Sequence, residues 1–230
     1  MPVLYVIATP IGNLEDISLR ALRLLQEVQL IAAEDTRTTR HLLNAHNIKT
    51  PLTSYHEHSK RAKLDYLLDY LEKEDLALVS EAGMPGLSDP GYKLIVAAIE
   101  RGISVVPIPG ASAVITALVV SGLPTDQFIY LGFLPRRKGP RQRLLSSIVD
   151  EPRTIVAFET PHRLREALSD IEEILGNRRI SICRELTKIH EEIFRGRVSQ
   201  AREHFAEPRG EFSLVIEGKT RAWLKFQERS

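Results

Sequence analysis

The chain has 230 residues, of which 43% are hydrophobic and 27% are charged, and its formal net charge is +1. This composition is typical of a globular protein with a buried core. The near-zero charge excludes a global field that attracts polyanions, so any nucleic-acid surface must be a local patch. The single cysteine, Cys183, excludes an internal disulfide and a cysteine-rich zinc site. Its apolar neighbours predict a buried thiol, in a reducing compartment.

The N-terminal residues 2–8 form a largely apolar run without a basic leader or a cleavage site. This pattern predicts a first strand rather than a signal peptide. No apolar run along the chain approaches membrane-spanning length. We therefore expect a cytoplasmic protein that does not cross a membrane.

Strand and helix signals alternate along the first half of the chain. Apolar runs predict strands over 3–8, 30–33, 76–79 and 105–106, and apolar residues at helical spacing predict helices over 17–28, 36–44, 64–71, 92–100 and 113–120. Alternation of this kind is typical of an α/β fold, with a mostly parallel sheet covered by helices on both faces.

The segment 121–125 interrupts this alternation, and we place a domain boundary there. The prediction is an N-terminal α/β domain over 1–121 and a C-terminal domain over 122–230. In the second domain, strands are predicted over 128–132, 154–158, 180–186, 192–197 and 211–217, and helices over 141–149 and 161–175. This order predicts a mixed α/β domain. The polar tail, 220–230, is predicted to be a short helix.

Loops rich in glycine, proline and small polar residues follow four of the predicted strands, at 9–13, 80–91, 107–112 and 159–163. Loop 80–91 reads SEAGMPGLSDPG, and its three glycines and two prolines exclude a regular helix or strand. Open α/β sheets bind ligands at the carboxyl ends of their strands, so the first three loops should meet at one sheet edge and form a small-molecule pocket. For each loop taken alone, an ordinary strand-to-helix turn is the alternative.

Common motifs of nucleotide enzymes and hydrolases are missing from the chain. There is no G-x-x-x-x-G-K-[ST], which argues against a P-loop kinase. There is no G-x-G-x-x-G after the first strand, which argues against a standard dinucleotide fold. The absence of G-x-S-x-G counts against an α/β serine hydrolase.

Two histidine segments, at 56–58 (HEH) and 190–192 (HEE), invite a metal interpretation. A metal ion needs three or four ligands, and the sequence supplies no obvious remainder. We therefore predict polar loop or substrate-contact residues, and no metal site.

The segment 136–143 has five cations in eight positions and no acid. Such a run is either a solvated basic face or a phosphate-binding surface, because arginine grips phosphate oxygens with paired hydrogen bonds. A second basic pair follows the predicted strand 30–33. We favour the nucleic-acid interpretation, and the candidate RNA-binding residues are Arg37, Arg40, Arg136, Arg137 and Lys138.

Nine segments together form a recognisable pattern: ATPIGNLEDIS, AAEDTRTTRHLL, SYHEH, SEAGMPGLSDPG, PIPGASA, GFLPRRKGPR, FETPHR, RELTKIHEE and GEFSLVIEG. They cover nearly the whole chain, and with them the sequence resembles the tetrapyrrole methylase superfamily, in particular its ribosomal RNA branch. The chain departs from the family pattern at Glu81, Met84 and Gly86, where aspartate, threonine and a bulkier aliphatic residue are usual.

The resemblance implies two α/β domains, with S-adenosylmethionine bound in the cleft between them. It implies methyl transfer to the ribose 2′-hydroxyl of a cytidine in the decoding region of 16S ribosomal RNA, within the small ribosomal subunit, by a homodimer. Carried over by motif, the cofactor-binding residues are Pro10, Gly83, Met84, Leu87, Ser112, Ala113, Phe158, Leu186 and Gly210.

A ribose hydroxyl is a poor nucleophile, so a general base would help the transfer. The candidate catalytic residues are Glu81, His56 and Glu159, and nothing in the sequence selects among them. For each, the alternative is a loop hydrogen bond or an ion pair. Two other functions stay open: a methyltransferase of small tetrapyrroles and a non-catalytic nucleotide-binding module.

Overall fold

A computed structural model of the chain describes residues 2–56 and 59–219. It consists of two compact units, Met1–Ser112 and Ala113–Ser230. The domain boundary predicted after Ser121 differs from this division by one helix, Ala113–Val120, and stays a prediction. The tail helix predicted over 220–230 lies outside the described residues.

The first unit contains a five-stranded sheet with four helices. Its elements are β1 (Val3–Ile7), a 3-10 turn (Leu14–Asp16), α1 (Leu19–Glu27), β2 (Leu30–Ala33), α2 (Thr36–Ala45), β3 (Leu52–Ser54), α3 (Arg61–Leu71), β4 (Leu76–Val79), α4 (Tyr92–Glu100) and β5 (Ser104–Ile108). The strand order is β3-β2-β4-β1-β5, and these strands pair in parallel. The predicted parallel sheet is confirmed.

Hydrophobic cores cover both faces of this sheet, which explains why β2 and β4 are continuous apolar runs. Helices α1 and α2 pack on one face, and α3 and α4 pack on the other. The sequence predicted a strand ending before Pro107, but β5 continues through it. Proline fits there because β5 is an edge strand that pairs with β1 alone in this sheet. The three-residue strand β3 was missed because it is too short to show a period.

The second unit contains a mixed sheet. Its elements are α5 (Ala113–Val120), β6 (Phe128–Phe133), α6 (Lys138–Ser147), β7 (Thr154–Glu159), α7 (Pro161–Leu175), β8 (Arg179–Arg184), β9 (Glu192–Arg197), α8 (Val198–His204) and β10 (Phe212–Ile216). The strand order is β6-β7-β10-β8-β9. Strands β6 and β7 are parallel, and the other pairs are antiparallel, as the mixed-sheet prediction requires.

Helices α6, α7 and α8 pack on one face of this sheet around a single hydrophobic core, while α5 contacts β7 and β10. Helix α8 was missed because it follows β9 directly, without a turn signal. Cys183 is 1% exposed, and burial raises the pKa of its thiol to about 11, so the predicted buried thiol is confirmed. Within residues 2–56 and 59–219, no helix is long and apolar enough to span a membrane.

Candidate functional site

The loops that follow β1, β4 and β5 meet at the carboxyl edge of the first unit's sheet, as predicted. The backbone N–H of Thr9 donates to the carbonyl of Gly83 at 2.9 Å, and Gly83 donates back to Thr9 at 3.1 Å. The N–H of Ala8 donates to the carbonyl of Ile108 at 3.1 Å. The three loops are therefore joined through backbone hydrogen bonds across neighbouring strands.

Glycine is needed or favoured at two points of this arrangement. Gly83 has φ +78°, and its pro-Cβ position lies 3.5 Å from Ile11 Cγ2 and 3.7 Å from the carbonyl oxygen of Ala111. A Cβ on Gly110 would lie 2.9 Å from the Cβ of Ala8, closer than side chains normally approach. Gly110 is needed for the close approach of the loop after β5 to the end of β1, while Gly83 is favoured by its left-handed backbone, since a Cβ there would make only ordinary contacts.

The candidate cofactor residues of the first unit differ in accessibility. Pro10 and Gly83 are buried in the joined loops, and Met84 packs against the core formed with α3 and α4. Leu87 is 43% exposed, and Ser112 is half-buried. Exposed Leu87 and half-buried Ser112 offer apolar and polar groups at this edge, a mixture that suits a nucleoside-containing cofactor.

Carboxylates gather at the same edge, beyond the ends of β2 and β4. The N–H of Glu81 donates to Glu34 Oε2 at 3.3 Å. Burial and the charge of Glu34 raise the pKa of Asp89 to about 6, although a hydrogen bond from Ser80 opposes the shift. Burial also raises the pKa of Glu34; the hydrogen bond from the Glu81 N–H opposes this rise, and the charge of the Glu81 carboxylate adds to it, while His56 lowers it. Two catalytic candidates, Glu81 and His56, thus share this edge with Glu34 and Asp89.

Sequence reasoning missed Glu34 and Asp89 as members of this group. Glu34 is the first residue after β2, a position that could have singled it out by the same rule that singled out Glu81. Asp89 lies inside the loop 80–91, and only the fold shows that its carboxyl group is drawn in beside Ser80.

His56 also lines a cavity of about 490 Å³ on the first unit. The other lining residues come mainly from α3 and α4: Tyr55, Ser59, Arg61, Leu64, Asp65, Leu68, Gly91, Lys93, Ala97, Glu100 and Arg101. Of the loop 80–91 only Gly91 takes part, so the cavity is distinct from the candidate cofactor residues.

In the second unit, three candidate cofactor residues lie at one end of the sheet. Phe158 pairs with Ser213 near the start of β10, and Gly210 precedes that strand. The N–H of Glu185 donates to the carbonyl of Glu211 at 3.0 Å, which brings Leu186 to the same end. Gly210 has φ +88°, and a Cβ there would lie 2.6 Å from Glu185 Cγ. Ala113, also a candidate, is the first residue of α5.

Glu159, the third catalytic candidate, lies in the second unit with its carboxylate buried. Its Oε1 accepts from the N–H of Thr160 at 2.7 Å and contacts Arg163 Nη2 at 2.7 Å. Its Oε2 is buried and has no hydrogen-bond partner among the described residues. Burial raises the pKa of Glu159 against the opposing effects of Thr160 and Arg163. Its contacts suit the fixing of Arg163, and its role as a base stays a prediction.

The candidate RNA-binding residues are exposed and lie in both units. Arg37 and Arg40 lie on α2, where Arg37 Nη2 contacts Asp35 Oδ2 at 3.3 Å. Arg136 and Arg137 lie between β6 and α6, and Lys138 is the first residue of α6; we call these three residues the basic turn. It stays a predicted RNA contact.

The basic run 136–143 does not form a single exposed face. Arg141 is 1% exposed, and its Nε donates to Asp170 Oδ2 at 2.7 Å. Its Nη2 contacts Glu166 Oε2 at 3.4 Å. The expectation of one solvated or phosphate-facing run is therefore wrong for Arg141, because helical periodicity turns that position towards α7.

The described part of the chain contains no candidate metal-binding site. There, no three histidine, cysteine, aspartate or glutamate side chains are placed to hold an ion. The segment 56–58 is covered only in part, because Glu57 and His58 lie outside the described residues. The predicted lack of a metal stays a prediction.

Comparison with known proteins gives consistent matches. Residues 3–202 match the family model of the tetrapyrrole (corrin/porphyrin) methylases. The chain is 53% identical to the ribosomal RNA small subunit methyltransferase I of Halalkalibacterium halodurans, over 94% of this chain and 75% of that protein. It is 50% identical to the protein of the same name from Thermotoga maritima, over 95% of this chain and 100% of that protein.

Among solved structures, uroporphyrin-III-C-methyltransferase from Thermus thermophilus matches with a TM-score of 0.65 and 19% sequence identity. The match covers 94% of each chain. At this identity the likeness concerns the fold alone.

Proposed function

Because the chain belongs to the tetrapyrrole methylase family, we propose that it transfers a methyl group from S-adenosylmethionine to 16S ribosomal RNA in the small ribosomal subunit. The acceptor is the ribose 2′-hydroxyl of a cytidine in the decoding region. The observation that carries the proposal is the 50% identity to the Thermotoga maritima protein over that protein's whole length. We also propose that the protein acts in the cytoplasm as a homodimer.

The candidate cofactor residues fit S-adenosylmethionine. The exposed backbone of Gly110 at the carboxyl edge of the first sheet and the exposed apolar side chain of Leu87 support this proposal. Ser112, Ala113, Phe158, Leu186 and Gly210 are the further residues that would hold the cofactor. S-adenosylmethionine supplies a methyl group already activated by its sulfonium, so the protein's main task is to position the acceptor hydroxyl.

The acidic group beside loop 80–91 suits the removal of the hydroxyl proton. Glu81 is exposed at the loop, and its backbone is fixed by Glu34. The neighbouring carboxylates of Glu34 and Asp89 have raised pKa values, which brings proton exchange closer to neutral pH. We hypothesise that Glu81 accepts or orients this proton, with His56 as the second candidate at the same edge.

Replacement of Glu81 tests this role. We expect Glu81→Ala to lower the rate of methylation of small subunits by about 100-fold or more, since general-base catalysis contributes on this scale. Binding of S-adenosylmethionine, measured by calorimetry, should be unchanged. Glu74→Ala is a matched control, because Glu74 is an exposed glutamate at the opposite end of the same strand. Full methylation by Glu81→Ala with normal cofactor binding would refute the role.

The proposed activity itself is tested with radiolabelled S-adenosylmethionine and small ribosomal subunits that lack the methyl group. We expect label in 16S RNA. Label in a corrinoid precursor offered in parallel, with none in RNA, would instead identify a tetrapyrrole methyltransferase. Cofactor that binds without transfer to either acceptor would indicate a non-catalytic nucleotide-binding module.

A further inference from the structure

Phe133, at the end of β6, has an unusual position for a phenylalanine. Along β6, Ile129 and Leu131 pack against the core beneath α6 and α7. Side chains alternate between the two faces of a strand, so Phe133, two residues after Leu131, would be expected to face the same core. Instead Phe133 is 51% exposed, and Leu134, at 1% exposure, occupies the core.

A β-bulge causes this exchange. Between Tyr130 and Phe133 the strand advances three residues, while its partner β7 advances two, from Val156 to Phe158. Gly132, inside the bulge, has φ +67°, a conformation that glycine adopts without strain. The extra residue moves Phe133 to the opposite face of the sheet, and re-aiming of a side chain in this way is a common use of bulges.

Aromatic contacts hold the displaced ring in one orientation. The ring of Phe133 lies 5.5 Å from that of Phe158, at an interplanar angle of 62°. Phe158 in turn contacts Tyr130 at 5.4 Å and 71°. These edge-to-face contacts support Phe133 from one side and leave about half of its surface open to solvent.

The basic turn begins three residues after Phe133. Arg136, Arg137 and Lys138 are exposed, and α6 starts at Lys138. The first-turn N–H groups of a helix favour an anion, and so do the three cations. An exposed aromatic ring followed within five residues by three exposed cations matches one class of ligand, a single-stranded nucleic acid, in which a base stacks on the ring and the adjoining phosphates bind the cations.

We propose that Phe133 is a base-stacking residue, which receives an unstacked base of the RNA substrate while the basic turn binds the adjoining phosphates. This inference rests on the proposed function, since it assumes an RNA substrate. It adds Phe133, which lies in the segment GFLPRRKGPR but was not among the candidate RNA-binding residues. Charge complementarity favours RNA over an apolar protein partner, because three exposed cations follow the exposed ring within five residues of the chain.

The test measures the affinity of the full chain for a 20-nucleotide single-stranded RNA and for an otherwise identical RNA that carries abasic sites. We expect Phe133→Leu to weaken binding of the normal RNA by roughly ten- to hundred-fold, because leucine keeps apolar volume and loses the stacking face. Binding of the abasic RNA should change little. Phe133→Trp, which keeps an aromatic stacking face, should bind the normal RNA about as tightly as the wild type does.

Two further variants separate stacking from charge. Replacement of Arg136, Arg137 and Lys138 by glutamine should weaken binding of both RNAs and flatten the salt dependence. Tyr66→Leu is the matched control, since Tyr66 is also about half exposed but lies on α3, and it should leave both affinities unchanged. Thermal unfolding of each variant verifies that it is folded.

Several outcomes would overturn the inference: equal affinity of the wild type and Phe133→Leu for the normal RNA, no binding by the wild type, or an equal loss with the abasic RNA. A lower affinity of Phe133→Leu for S-adenosylmethionine would assign the ring to the cofactor site instead. If the wild type methylates small subunits while the Phe133 variants bind RNA normally, the inference fails and the proposed function stands. If the wild type fails to methylate subunits, the proposed function fails, and the RNA comparison still decides whether Phe133 stacks.

Discussion

Asp89 shows how a single carboxyl group reports on the environment of loop 80–91. Burial and the negative charge of Glu34 disfavour its ionised form and raise its pKa from the ordinary 3.8 to about 6. When folding raises the pKa of a carboxyl group, ionisation of that group destabilises the folded state relative to the unfolded state. This destabilisation is absent below pH 3.8 and is complete once the pH has risen through about 6.

We therefore expect Asp89→Asn to unfold at a higher temperature than the wild type at pH 8, and the difference to shrink as the pH falls towards 4. Thermal unfolding followed by circular dichroism across this range provides the measurement. Asp126→Asn, which changes an exposed carboxyl group, is the control and should show little difference at any pH. A stabilisation by Asp89→Asn that grows towards acid pH would contradict the burial of this carboxyl group.

Gly210 is constrained both by its backbone conformation and by the space around it. A Cβ there would overlap Glu185, whose carboxylate is itself held by the N–H of Glu211 at 2.9 Å and by Lys188 Nζ at 3.1 Å. Gly102 has a similar φ, +71°, but no atom lies within 4 Å of its pro-Cβ position among the described residues. Comparison of Gly102 with Gly210 therefore separates the cost of the left-handed backbone from the cost of crowding.

Alanine substitutions at these two glycines should differ in urea unfolding. Gly102→Ala should lower the free energy of unfolding by about 1 kcal/mol, the cost of the left-handed backbone. Gly210→Ala should lower it by about 2–3 kcal/mol because crowding is added, and should also weaken S-adenosylmethionine binding. Equal losses in the two variants would show that the approach of Glu185 to Gly210 does not matter.

At the scale of elements, the buried pair of Arg141 and Asp170 joins α6 to α7. Both side chains are less than 5% exposed, and Gln142 adds a 3.1 Å hydrogen bond to Asp170. Removal of one member of such a pair leaves the other charge buried without compensation. The pair therefore fixes the helix whose first turn contains Lys138 of the basic turn.

Asp170→Ala is expected to lower the free energy of unfolding by about 3–5 kcal/mol, as measured by urea denaturation. Glu27→Ala, which removes an exposed partner of Arg23 on α1, should cost less than about 1 kcal/mol. The double variant Arg141→Met/Asp170→Leu should recover much of the loss, since it leaves no unpaired charge. If Asp170→Ala is as mild as Glu27→Ala, the pair does not hold α6 in place.

The elements also show what the sequence could and could not predict. Continuous apolar runs predicted β2 and β4 with their observed bounds, and the bounds of β9 and α7 were also predicted correctly. Arg141 could not be distinguished from Arg137 by composition, because only helical phase and the presence of Asp170 across from it decide which one is buried. The bulge in β6 was equally hidden, since a glycine within an apolar run does not reveal how the strands align.

At the scale of the whole molecule, the gathering of three loops at one sheet edge followed from strand polarity alone. Their proposed role as a methyl-donor site did not, and it depended on the nine motifs and on the relatives that share the chain's sequence. The acidic group of Glu34, Glu81 and Asp89 required the fold, because its members come from two loops that only sheet order makes neighbours.

The activity proposed for this chain is the methylation of a ribose in 16S ribosomal RNA. The most direct test incubates the protein with S-adenosylmethionine and small subunits lacking the modification, digests the RNA to nucleosides and identifies the product by mass spectrometry. We expect 2′-O-methylcytidine, formed only when active protein is present. A methyl group on a base, or RNA left unmodified by protein that binds S-adenosylmethionine, would contradict the proposed activity.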